Sequence, residues 1–338
     1  MRWPISEPST LVLFRPQISF VTFFLAQKSV KNLVIFGLVF LLTVFFGFLF
    51  NPTLLLARAE IIEVLVEKKV PRSEGQFTQG LVFVGDSLIE STGLYGQSKV
   101  CRYPAPKPDD LSLKPPTLCL TLKDNFFAEG IATVNSALYL LTWQEGAVFK
   151  LDLTTLEILE TFFSPSQGWG LTTVGETLWR SDGTDKLTPH KIENFAVTGG
   201  KLSASDGLRP IDNLNELEYD QAAGLILANI YQSCRVAAID PKSGLVTFFL
   251  DLSSICQMES QYQKNPQQNA LNGLAFDESG RLWVTGKNWP NLYWITWTPP
   301  SAAASIVSAQ SPVTAGPPSK SATPATSNSP DLPDSEKK

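Results

Sequence analysis

An all-β fold, a five-bladed β-propeller, is predicted by three features of this sequence. Five short apolar strands open on Gln79-Gly80-Leu81, Glu129-Gly130-Ile131, Trp169-Gly170-Leu171, Glu216-Leu217-Glu218 and Asn272-Gly273-Leu274. Each run then closes on small polar residues, at Ser91-Thr92-Gly93, Leu141-Thr142-Trp143, Ser181-Asp182-Gly183, Ala228-Asn229-Ile230 and Thr285-Gly286-Lys287. The openings recur every 40 to 56 residues or so, roughly the length that a blade of about four strands requires. Eight Trp and 21 Phe among 338 residues favour strands over helices. Because the first strand of a blade lies nearest the axis, the five openings converge on one place.

The elements follow in chain order. Leu33 to Phe50 is an apolar run without a charge, preceded by Arg15, Lys28 and Lys31 and followed by Ala57-Arg58-Ala59. It fits either a secretory signal cleaved near Glu60 or an uncleaved membrane anchor. The preceding cations place the N-terminus inside, so the rest is expected to be extracytoplasmic, periplasmic or secreted, or anchored with the propeller outside. Residues 1–59 are thus read as an N-terminal segment, 60–298 as the propeller, and 299–338 as a disordered tail. The tail is rich in Pro, Ser, Ala and Thr, which bury too little apolar surface to offset ordering entropy.

Within the propeller, Val82-Phe83-Val84, Gly85-Asp86 and Ser87 to Glu90 read as a hairpin, and the shape returns at Ile131 to Leu141, Leu171 to Ser181 and Leu274 to Val284. Third strands end in turns at Asp152 and Asp240 and lead into outer strands at Leu156 to Phe163 and Leu245 to Leu252. The spacings leave little room for the crossover helices of an α/β fold. Cys101 and Cys119 lie within one repeat and Cys234 and Cys256 within another. In an exported chain this favours two disulfides within those pairs, reduced buried thiols being the alternative.

Composition removes several chemistries. The formal charge of −5, without a Lys/Arg cluster, excludes a nucleic-acid partner. A single histidine, His190, in the polar, turn-like stretch Leu187 to Lys191, is expected at the surface; histidine triads and histidine zinc sites are then unsupported. No glycine-rich phosphate loop is present. Proton transfer would fall to a carboxylate, a lysine or a tyrosine. The openings and closings offer Gln79, Glu129, Asn215, Glu216, Glu218 and Lys287 together with Trp143, Trp169, Trp283 and Trp289. Such a set would form an indole-walled pocket for a small amide-bearing ligand. Glu216 and Glu218, two apart on one strand face, read as structural acceptors of backbone hydrogen bonds. Asp182 reads as a turn former.

Ten stretches carry a resemblance: Phe77–Leu81, Glu90–Gly93 with Tyr95-Gly96, Ala128–Ile131, Leu141–Trp143, Gly168–Leu171, Ser181–Thr184, Leu214–Glu218, Ala228–Ile230, Asn272–Ala275 and Thr285–Pro290. In this order, over residues 60 to 297, they resemble the plant-type glutaminyl-peptide cyclotransferases, a family of five-bladed propellers. The resemblance implies conversion of N-terminal glutaminyl residues of peptides and proteins to pyroglutamyl with release of ammonia, without a metal or other cofactor. It also implies that Glu129 is the catalytic acid/base, supported by Gln79, Asn215 and Lys287, and that Trp143 and Trp169 wall the pocket. Tyr231 stands where the family often carries tryptophan; Tyr231 and Trp289 are expected to line the substrate site as well. A monomer is expected. The rival readings are a non-catalytic extracytoplasmic propeller that binds peptides or proteins, and a metal-dependent propeller hydrolase of the lactonase kind.

Overall fold

The computed structural model describes residues 59–72, 76–107, 110 and 112–300. The expected signal or anchor at 33–50 and the tail lie outside them. Five sheets form five blades. Blade 1 is β3 (Thr78–Val84), β4 (Ser87–Thr92), β5 (Lys99–Pro104) and β6 (Leu118–Thr121). Blade 2 is β7 (Ala128–Val134), β8 (Ala137–Thr142), β9 (Ala147–Asp152) and β10 (Ile158–Phe163). Blade 3 is β11 (Leu171–Val174), β12 (Thr177–Ser181), β13 (Lys186–Lys191) and β14 (Leu202–Ser203). Blade 4 is β15 (Leu214–Asp220), β16 (Leu225–Ile230), β17 (Arg235–Ile239) and β18 (Val246–Asp251); blade 5 begins with β19 (Leu271–Phe276), β20 (Leu282–Gly286) and β21 (Asn291–Thr296).

The first two strands of the described residues join the last two blades. β2 (Leu65–Pro71) pairs antiparallel with β21 as the outer strand of blade 5, and β1 (Glu60–Glu63) adds in parallel to β18 of blade 4. Early and late segments of the described chain are thereby hydrogen-bonded together, and β21 is not left as an open edge. No sequence period announces this closure.

Each hairpin from a first to a second strand turns through a residue in the left-handed region: Gly85, Asn135, Gly175, Gly224 and Gly280 all have φ between 54° and 73°. Glycine and asparagine adopt that conformation at least cost, so the repeat is written into residue type. The Asp turns form as expected: Asp152 Oδ1 accepts from the Thr154 and Thr155 amides at 2.8 Å, and Asp240 Oδ1 from Lys242 at 2.9 Å.

The apolar core is divided among the blade interfaces. Leu81, Leu88 and Cys101 of blade 1 pack on Trp283 and Leu292 of blade 5, while Ile89 and Val100 pack on Ile131, Leu138 and Leu140 of blade 2. Tyr139 and Leu141 meet Leu171 and Leu178; Leu187 meets Leu214, Leu217 and Ile226; Leu227, Val236 and Leu250 meet Leu274, Val284 and Trp289. The disulfides are Cys101–Cys119, joining paired positions of β5 and β6, and Cys234–Cys256, tying the β16–β17 turn to a short helical turn, Ser253–Met258. Closing loops of 18 and 22 residues, each is worth about 3 kcal/mol in the chain-entropy account.

His190 departs from expectation. Leu187 to Lys191 belongs to strand β13, and the imidazole is buried, stacked on Phe195 at 4.1 Å with Nδ1 2.8 Å from the Phe195 carbonyl. Burial pushes its pKa down to about 4, so it is a neutral core residue. The polar appearance of the stretch misleads because Thr188 and His190 take inward-facing strand positions.

Glu216 and Glu218 act as backbone acceptors across the blade 4–blade 5 interface. Glu216 Oε2 accepts from the Leu274 amide and Glu218 Oε1 from the Phe276 amide, both at 2.8 Å. Burial raises both carboxyl pKa values, that of Glu218 to about 8. A raised folded-state pKa stabilises the fold below the unfolded value and loses that contribution as pH rises through the folded one. Stability measured by urea unfolding should therefore fall between pH of about 4.5 and about 8, and Glu218→Gln, which keeps an acceptor but no titrating proton, should flatten that fall.

Candidate functional site

Four first strands carry a register irregularity at their openings: between Thr78 and Gly80, Ala128 and Ile131, Leu214 and Leu217, and Leu271 and Leu274. The first residues inside these irregularities are Gln79, Glu129, Asn215 and Asn272. A bulge turns an extra side chain away from the sheet face, so all four are buried without joining the apolar interfaces. In the third blade the equivalent Trp169-Gly170 precedes β11.

Four of the five openings approach their neighbours closely because they contain glycine, at Gly80, Gly130, Gly170 and Gly273. A Cβ on Gly80 would stand 2.6 Å from the Ile131 nitrogen, and one on Gly170 would stand 2.0 Å from the Asn215 carbonyl oxygen. The closing residues complete the joints. Ser91 Oγ donates to the Glu129 carbonyl at 2.6 Å, Ser181 Oγ to the Asn215 carbonyl at 2.6 Å, and Asn229 Oδ1 accepts from the Gly273 amide at 3.0 Å. The Gly130 amide donates to the Trp169 carbonyl at 2.7 Å. The repeated signatures are thus the joinery between blades, and it also fixes the polar floor.

On that floor Gln79 Nε2 donates to Glu129 Oε1 at 3.4 Å, and Gln79 Oε1 accepts from Asn272 Nδ2 at 3.4 Å. Asn272 Nδ2 also donates to the Thr78 carbonyl at 3.0 Å. Lys287, reached from the end of β20, is buried and places its ammonium 5.0 Å from the Phe77 ring and 5.1 Å from the Tyr231 ring, within cation–π range.

Aromatic contacts form a closed circuit above this floor. Phe77 meets Phe127 at 6.2 Å and Phe127 meets Trp143 at 5.6 Å. Trp143 and Trp169 both donate their indole N–H to Gln167 Oε1, at 3.1 and 2.9 Å. Trp169 meets Tyr231 edge-on at 5.5 Å, and Tyr231 leads back through Lys287 to Phe77. At the rim Tyr95 packs on Phe127 and donates its hydroxyl to Glu145 Oε1 at 2.7 Å.

Electrostatics oppose each other across the pair. Burial drives the Glu129 carboxyl well above the ordinary range, against the Lys287 charge and with help from the Glu145 charge. Burial likewise lowers Lys287 to about 8, against the Glu129 charge. Desolvation therefore outweighs mutual attraction for both, favouring the protonated carboxyl at Glu129 and the neutral amine at Lys287.

Of the expected site residues, Gln79, Glu129, Lys287, Trp143, Trp169 and Tyr231 share this enclosure, and Asn215 occupies the equivalent bulge on β15. Trp289 does not: its indole is fully buried against Tyr262 and Tyr293, with Nε1 donating to the Asn269 carbonyl at 2.7 Å. Trp283 is also core, its Nε1 bonded to Asp277 Oδ2 at 2.8 Å. Asp182 holds its turn by accepting from Thr184. Phe127, Gln167, Asn272 and Glu145 were not singled out as site residues, although Asn272 stands in an opening signature. A cavity of about 1010 Å³ opens at the opposite ends of the first strands, among Val84, Thr133, Thr173 and Asp220, away from this set. Its Asp220 carboxylate is occupied by the Ala222 and Ala223 amides. Because the Glu129 charge holds Lys287 up, Glu129→Gln should lower the Lys287 pKa below its value of about 8, read by NMR titration of the lysine ε-carbon.

Comparison with known proteins gives one consistent result. The glutamine cyclotransferase family model matches residues 40–297. A glutaminyl-peptide cyclotransferase of Arabidopsis thaliana is 35% identical over 240 residues, covering 70% of this chain and 71% of that protein. The crystal structure of Myxococcus xanthus glutaminyl cyclase superposes with a TM-score of 0.64 at 33% identity, covering 71% of this chain and 98% of that one. With the family model spanning well over half of the sequence, this chain belongs to the glutamine cyclotransferase family.

Proposed function

We infer that this chain is a glutaminyl-peptide cyclotransferase, converting N-terminal glutaminyl residues of peptides to pyroglutamyl with release of ammonia. What carries the mechanism is a buried carboxyl, Glu129, whose pKa burial drives well above the ordinary range, beside a lysine and amides within an aromatic enclosure. In the reaction the substrate α-nitrogen bonds to its own side-chain carbonyl carbon and the carbon–nitrogen bond of the amide breaks. An amide anion is not expelled near neutral pH, so the departing nitrogen must receive a proton. Glu129 gives its proton to that nitrogen, and the resulting carboxylate takes the proton of the attacking amine. Atoms and charge then balance, and Glu129 returns to its starting state.

Lys287 and Asn215 are assigned as donors to the oxyanion that develops on the carbonyl oxygen, a role worth about 2.7 to 4 kcal/mol per donor. Gln79 has a different task, since its amide N–H donates to Glu129 and its oxygen is held by Asn272. It orients the carboxyl. The indoles of Trp143 and Trp169, fixed through Gln167, wall the substrate side chain and exclude water that would compete for its carbonyl. The two disulfides support action outside the reducing cytoplasm, residues 33–50 serving as signal or anchor.

Ammonia release from a Gln-initiated dipeptide tests the reading: wild-type protein should be active with and without chelator, and Glu129→Gln should lower kcat by about 10² to 10⁴. A folded wild-type protein that binds such peptides but releases no ammonia would favour the binding propeller. Glu145 supplies the second pH prediction. Its charge raises the Glu129 pKa, so Glu145→Gln should lower that pKa and move the alkaline limb of kcat/KM to lower pH.

A further inference from the structure

The joint between blades 5 and 1 is bridged by a buried arginine. Thr285 stands at the closing position, and its hydroxyl, like that of Thr142 in blade 2, donates within its own blade, to the Asn291 carbonyl at 2.8 Å. The space is taken by Arg72, from the segment that follows β2. Its Nη1 reaches Thr285 Oγ1 at 3.4 Å, and its Nη2 reaches Thr78 Oγ1 at 3.2 Å and Glu90 Oε1 at 2.5 Å. Thr78 Oγ1 donates to the same Glu90 oxygen at 2.6 Å. Both members of the ion pair are almost wholly buried. The Arg72 amide also donates to the Pro290 carbonyl at 2.8 Å, and the Asn288 amide to the Gln76 carbonyl at 2.8 Å.

The two threonines are next in sequence to the chemistry. Thr78 adjoins Gln79, and its carbonyl holds the Asn272 amide that in turn holds Gln79. Thr285 lies two residues before Lys287 on the end of β20. A planar guanidinium with donors in a fixed fork sets the separation of two such anchors, which a point-charge ammonium cannot do.

We propose that Arg72 is a positioning residue of the reaction, its guanidinium bridging Thr78 and Thr285 so that Gln79 from blade 1 and Lys287 from blade 5 meet Glu129 at the working separation. The proposal rests on the cyclotransferase reading. Glu90 makes the bridge affordable, because an arginine buried at this depth without a carboxylate would strongly destabilise the fold.

The test uses Arg72→Lys, which keeps a cation opposite Glu90 but loses the fork. It should melt within a few degrees of wild type, hold KM, lower kcat by about tenfold and shift the Lys287 titration seen by lysine ε-carbon NMR. Thr78→Val and Thr285→Val, each cutting one arm while leaving the ion pair, should lower kcat at unchanged KM, which keeps the test decidable should Arg72→Lys fail to fold. Wild-type kcat in a folded Arg72→Lys protein, or in either threonine variant, overturns the proposal. Absence of ammonia release from the wild type would instead overturn the cyclotransferase reading.

Discussion

The close approach of neighbouring first strands around the axis is the constraint on which the rest of the molecule depends. It is set by glycines whose missing side chains leave room for a neighbour's backbone, and by serine, asparagine and backbone N–H groups that bridge the gap. Buried polar atoms of this kind cost a great deal if left unpaired and only a little when paired, so each joint has a single satisfactory geometry. The same geometry forces the strands to bulge, and the bulges present Gln79, Glu129, Asn215 and Asn272. Fold and candidate site are therefore one structural solution: Gly80, Gly130 and Gly273, which let neighbouring segments approach, directly follow Gln79, Glu129 and Asn272.

Charge is handled in two ways near the axis. Arg72 and Glu90 meet in direct contact, whereas Glu129 and Lys287 are coupled without forming an ion pair within 4.0 Å. A contact pair gains enough attraction to offset desolvation when further hydrogen bonds assist it, as Thr78 does here. A separated buried pair does not, and both members move toward their neutral forms. The first arrangement suits a fixed joint and the second suits proton transfer, which needs a carboxyl able to release and regain its proton near neutrality.

Sequence reading reached the architecture because each blade repeats the same local demands. Left-handed turn positions require Gly or Asn, alternating strands require apolar residues at alternate positions, and the cysteine pairs fall within units. Glu216 and Glu218 were also legible as backbone acceptors, since their two-residue spacing puts both on the side of the next blade. His190 and Trp289 were not legible. Whether an imidazole or an indole faces solvent, substrate or core depends on what packs over it, and Phe195 and Tyr262 come from other segments of the chain.

The sequence by itself determined the blade count, the turn chemistry and the residues placed at the axial openings, because these depend on backbone conformation and spacing along one chain. Tertiary structure alone decided that the first described strands join the last two blades, and that Gln167 is shared by two indoles. It also decided that desolvation prevails over attraction at Glu129 and Lys287. Those outcomes depend on distances between segments far apart in the chain and on how completely water is removed between them, quantities that no local pattern encodes.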